Sequence, residues 1–91
     1  MVPLQNFATG VLADVIKRQP PSPARTTFAW TVAVGPALAR SATATLTGRV
    51  LTVRPRDPRW AKEVERAGAT ILARMQELLG RESVVRIEIV I

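Results

Sequence analysis

The sequence of 91 residues contains no cysteine, no histidine and no tyrosine. The first absence excludes disulfides and thiolate metal sites. The second removes the commonest general base and the commonest metal ligand, and the third removes the phenolic acid. Ser22, Ser41 and Ser83 therefore have no imidazole to activate them, and a Ser–Lys pairing would rest on Lys17 or Lys62, the two lysines present. Glu63 and Glu65 stand two apart on a predicted helix and point in different directions, as members of a solvated, salt-paired face rather than a catalytic pair. No glycine-rich phosphate loop occurs. No apolar run approaches the ~18–20 residues of a membrane helix. The opening Met1-Val2-Pro3 lacks the basic start and apolar run of a signal peptide. These absences predict a protein that is not an enzyme, needs no cofactor, metal or small-molecule substrate, does not enter a membrane, and resides in the cytoplasm.

What the chain does contain is arginine. Thirteen basic residues, eleven of them arginines, face seven acidic ones, for a net charge of +6. Arginine stays charged at any relevant pH and grips phosphate with a planar fork, so the balance favours a polyanionic partner. The competing account is that arginine enrichment reflects genomic base composition and solubility.

The pattern predicts one domain over residues 1–91. From Pro3 to Arg18, Leu4, Phe7, Val11, Leu12, Val15 and Ile16 fall on one face of an amphipathic helix. Pro20, Pro21 and Pro23 stop it, and Ser22 with Pro23 starts a second helix running to about Ala33. Phe28 and Val32 share one side of that helix, with Trp30 and Val34 partly around it. Gly35-Pro36 interrupts before a short helical piece to about Arg40. A hairpin follows, with Gly48 suited to a type II′ turn. Pairing Thr47 with Val50 sets Leu46 opposite Leu51 and Ala44 opposite Val53, all on one face. Asp57-Pro58 opens the longest helix, whose stripe of Trp60, Val64, Gly68, Ile71, Met75 and Leu78, with Leu72 and Leu79, runs to a cap at Gly80. Gly68 is expected to serve close backbone packing. Val84 to Ile91 reads as a strand, and the strand–helix–strand order implies a right-handed crossover to a parallel neighbour. The fold class is α+β in the order α-α-β-β-α-β, a three-stranded mixed sheet with its helices on one face.

The candidate nucleic-acid-binding residues are Arg49, Arg54, Arg56, Arg59, Lys62 and Arg66, set against Asp57, Glu63 and Glu65. They surround the exit of the hairpin and the start of the long helix, where backbone N–H groups add a positive field and a phosphate could sit. The alternative is that these side chains only solubilise the domain. Trp60 opens an apolar stripe and reads as core. Trp30 competes with Phe28 for the inward position; if exposed, it would be a partner-binding candidate. The outer sheet face has no aromatics and does not resemble a base-stacking platform.

Two stretches carry a resemblance. WTVAVGPALARSATATL, Trp30 to Leu46, is similar to the Trp-x-x-x-Val-Gly-x-x-Leu-Ala pattern of the DciA-like family. GRVLTVRPRDPRWAKEV, Gly48 to Val64, resembles that family's glycine-led strand and tryptophan-led helix, and VVRIEIVI its final strand. The resemblance covers nearly the whole chain. It implies a KH-like fold and a role in bacterial DNA replication, with DNA and a DnaB-type replicative helicase as partners. The chain departs from the standard KH pattern in lacking a Gly-x-x-Gly loop between helices. No disordered extension follows the closing strand; if relatives contact the helicase through such a tail, this chain is expected to use its folded surface or to lack that activity. The expected function is a non-catalytic DNA-binding accessory protein of replication. The rival is a protein–protein adaptor of incidental charge, using the first two helices with Trp30, or the edge of the last strand.

Overall fold

A computed structural model describes residue 11 and residues 13–90. Residues 13–18 are helical (α1). The chain then forms α2 (Pro23–Val34), α3 (Pro36–Ser41), β1 (Ala42–Thr47), β2 (Val50–Pro55), α4 (Pro58–Arg66), α5 (Gly68–Leu79) and β3 (Arg86–Ile89). The order is the one expected from the sequence and is compatible with a KH-like domain. The short helix after Gly35-Pro36 is the one expected, and one helix is added, because the longest predicted helix is divided by a break.

Local chemistry sets most boundaries. Ser22 Oγ accepts the Arg25 N–H at 3.0 Å, and Pro23 occupies the first turn, where a missing N–H costs nothing. Gly35 ends α2 at φ 85°, a conformation L side chains rarely adopt, and Pro36 restarts the helix. Gly48 has φ 63° while Arg49 does not have positive φ, the sign pattern of a type II′ turn. The hairpin pairs Thr47 with Val50, Leu46 with Leu51 and Ala44 with Val53, as turn chemistry and pattern together predicted.

The sheet order is β1-β2-β3, with β2 antiparallel to β1 and parallel to β3. Leu51 and Val53 are fully buried beneath the helices, and Ala44, Leu46, Ile87 and Ile89 pack partly against the same core. Ala29, Val64 and Met75 meet them from the helical side. The alternate positions, Thr43, Thr45, Thr47, Arg54, Arg86 and Glu88, lie exposed on the opposite, open face.

Several expectations are corrected. In α1, Ala13 and Ile16 are buried while Val11 and Val15 are exposed; Leu4, Phe7 and Leu12 lie outside the described residues. The buried pair is three apart, a stripe rotated from the one apolar content suggested. In α2 the buried positions are Thr26, Ala29, Trp30 and Ala33, and Phe28 is 51% exposed. Small Ala29 and Ala33 let the helix sit close, leaving a space that the Trp30 indole fills; its N–H donates to the Ala42 carbonyl at 3.1 Å. Trp30 is thereby not a surface for a partner.

The predicted long helix divides at Ala67, whose ψ of 6° departs from helical geometry. The Ala67 N–H still reaches Glu63 O at 3.0 Å, and its carbonyl accepts from Ile71 at 2.8 Å, so the ladder bends without a gap. Gly68 beside it meets no atom within 4 Å of a built Cβ, so close packing is not its role. Trp60, expected in the core, is only half-buried; Ala61 and Val64 carry the buried face of α4. The last strand is shorter than Val84–Ile91: Val84 is buried ahead of it, its carbonyl held by Gln76 Nε2 at 2.9 Å, and Ile91 lies outside the described residues.

Two arginines join α2 to α5. Arg25 donates to Leu79 O at 3.1 Å and to Gln19 O at 2.9 Å, and Arg74 donates to Ala33 O at 2.9 Å. Each helix thus presents a cation to carbonyls at the C-terminal end of the other, which requires the two to run antiparallel.

Candidate nucleic-acid interface

α4 has two chemically opposed sides. Ala61 and Val64 face the core. Arg59, Lys62 and Arg66 are exposed and follow one another at three and four residues, so they share a stripe spanning about 60° of helix circumference. That stripe lies nearly opposite the buried pair. Sequence dictates this arrangement once Asp57 starts the helix: the same period that buries Val64 turns the three cations outward.

The start of α4 is closed to an anion. Asp57 Oδ1 accepts the Arg59 N–H at 2.9 Å and the Trp60 N–H at 3.2 Å. The carboxylate occupies the donors that a phosphate would need, so the expected seat between strand exit and helix start is taken. Contacts to a polyanion fall to side chains. Arg59 is available for them: its side chain is 91% exposed, and its guanidinium stands 3.8 Å from the Asp57 carboxylate, a long surface pair of little strength. Arg66 lies 3.5 Å from Glu63 in a similar exposed pair. Lys62 makes no ion pair among the described residues.

The six sequence-predicted cations are all exposed but do not form one cluster. Arg59, Lys62 and Arg66 share the α4 stripe. Arg56 sits at the corner just before α4, its N–H bonded to Ser41 O at 2.8 Å. Arg54 alternates with buried Val53 and therefore projects from the open sheet face, away from the helices. Arg49 is in the hairpin turn, about 20 Å along β2 from Arg56. There it borders a hollow shared with Arg25 and Glu82.

Trp60 is partly buried, and its exposed part was not expected to border the stripe. Its indole, with Arg59 and Glu63, lines a shallow hollow of about 250 Å³ beside the stripe. The available signal was Ala61, which with Val64 makes an inward pair three apart and displaces Trp60 to the margin. An aromatic face beside a cation can stack on a base while the cation holds a phosphate. Among the described residues, no three acidic side chains gather as a metal site.

The model of one protein family, "Dna[CI] antecedent, DciA", matches residues 4–89. The chain belongs to the DciA family. Comparison with curated proteins and with solved structures gives no match. DciA proteins take part in loading the DnaB helicase in DNA replication. The match spans the whole described fold, including the α4 stripe and both tryptophans. Among the described residues of this DciA chain, no helix is long and apolar enough to cross a membrane.

Proposed function

We propose that this protein is a non-catalytic, DNA-binding accessory of the bacterial replicative helicase, acting in the cytoplasm, and that it holds DNA by the α4 stripe. The observation that carries this is the alignment of Arg59, Lys62 and Arg66 opposite the buried Ala61 and Val64, extended by Arg56 and bordered by half-buried Trp60. Phosphates are met by side chains, one to each cation, and an unstacked base lies against the indole. Single-stranded DNA is the favoured form, because only a splayed base reaches a flat aromatic face. Arg54 and Arg49, on other surfaces, add general attraction only. Direct contact with the DnaB-type hexamer accompanies DNA binding.

The test is a salt-titrated binding assay with random-sequence single- and double-stranded DNA. Arg56→Glu, Arg59→Glu and Lys62→Glu together abolish binding at moderate salt, while circular dichroism and melting stay close to the parent. Each single change to alanine lowers the salt slope by about one. A control pair, Arg49→Glu with Arg81→Glu, has a smaller effect. Equal loss in the control means diffuse attraction to a basic protein, and a parent chain with no salt-dependent binding removes the DNA reading altogether.

A further inference from the structure

Among the described residues the sheet has two unpaired edges, and they are built differently. On the β3 side the outward residues are Arg86 and Glu88, ion-paired at 3.0 Å. Charges on an edge strand discourage further pairing. The β1 side is Ala-Thr-Ala-Thr-Leu-Thr, six residues with no charge, no proline and an unbroken register. The strand carries none of the charges, prolines or bulges that usually blunt an edge.

The hydrogen-bond phase shows what this edge offers. Arg56 N–H donates to Ser41 O at 2.8 Å, so Ser41 and, in register, Thr43, Thr45 and Thr47 turn their backbone groups toward β2. The N–H and C=O of Ala44 and Leu46 point outward, and no described residue pairs with them. Beside them runs a groove of about 340 Å³, walled by Pro21, Pro23 and Thr26 on one side and Ala44 and Leu46 on the other. Charge brackets the edge. Exposed Arg40 stands two positions before β1 and exposed Arg49 two positions after it, with no acidic residue between them. A second copy of this chain fits badly: antiparallel pairing of two β1 strands sets Arg40 of each against Arg49 of the other, and parallel pairing sets like against like.

We propose that the open edge of β1 is a docking site for an extended peptide from another protein, which adds as a fourth strand. The peptide has a short uncharged centre and acidic residues at both ends, facing Arg40 and Arg49. Its main chain pairs with Ala44 and Leu46, and alternate small apolar side chains enter the groove. This site is independent of the DNA-contact stripe, since α4 packs against β2 and β3.

The probe is a synthetic peptide with a Val-Thr-Val-Thr-Val centre and two glutamates at each end, titrated into isotope-labelled protein. The largest amide shifts and slowed hydrogen exchange are expected at Ala44 and Leu46. Lysine-ended and backbone-N-methylated peptides should bind at least about tenfold more weakly. Ala44→Pro removes an outward N–H without costing a ladder bond, so it should keep the fold and DNA binding and lose the peptide. If that variant does not fold, Arg40→Glu with Arg49→Glu decides, because it should reverse the preference toward the lysine-ended peptide. The proposal is overturned by no shift at millimolar peptide, or by shifts centred on the α4 stripe, where the peptide would merely mimic DNA. It is also overturned if Ala44 and Leu46 amides are already protected without peptide, by a second copy or by the chain's own first residues.

Discussion

Helices α2 and α4 each carry one of the two tryptophans, and they place it oppositely. In α2, Trp30 is 2% exposed, its N–H satisfied by the Ala42 carbonyl, and the helix packs against both sheet and α5. In α4, Trp60 is half-buried at the margin of a helix whose other residues are mostly charged. The arginines divide in the same way. Arg25 beside α2's start and Arg74 on α5 spend their guanidinium groups on carbonyls at helix ends, whereas Arg59 projects into solvent. The α2–α5 region uses aromatic and cationic side chains to hold the fold, and α4 leaves the same chemistry available to a ligand. A count of arginines therefore overstates the charge free to bind DNA.

Exchanging each tryptophan for alanine should separate the two regions most sharply. Trp30→Ala is expected to cost about 3–5 kcal/mol, from the cavity and the unpaired Ala42 carbonyl, enough to unfold much of a marginal domain. Trp60→Ala should cost less, about 1–2 kcal/mol, because Trp60 is only partly buried. Denaturant melts of the two variants read this difference directly, and equal midpoints would dissolve the comparison.

The arginines give the next largest contrast. Arg74→Ala should lower stability by about 1–2 kcal/mol, leaving the Ala33 carbonyl without its charged donor, and should leave the DNA salt slope nearly unchanged. Arg59→Ala should do the reverse, with stability within about 0.5 kcal/mol of the parent and a measurably shallower slope. A loss of slope in Arg74→Ala would place the binding surface on the wrong helix.

The smallest effect belongs to the junction between α4 and α5. Gly68→Ala meets no neighbour, and Gly68 does not have positive φ, so the change should stabilise by about 0.4–1 kcal/mol through the unfolded chain. A destabilised variant would show that the bend at Ala67 depends on glycine's freedom and not on packing around it.

The sequence by itself determined the features that depend on near neighbours. Ser22-Pro23 and Asp57-Pro58 start helices, Gly35 and Gly80 end them, and Gly48 turns the hairpin, because caps and positive φ are decided within a few residues. The hairpin register was legible because the Gly48 turn and the alternation of Ala44, Leu46, Leu51 and Val53 demand the same pairing. The basic stripe of α4 follows from helical period alone once the start is known. Tertiary structure decided the rest. Whether Phe28 or Trp30 turned inward depended on the space that Ala29 and Ala33 leave against the sheet, and on a carbonyl twelve residues away. The use of Arg25 and Arg74 as helix caps depended on partners 54 and 41 residues distant. Arg54 separated from the stripe because the sheet intervenes, and Trp60 sits at the margin of α4 because Ala61 and Val64 turn inward. Such outcomes are set by which distant surfaces compete for one volume, and no local rule of propensity, capping or period encodes that competition.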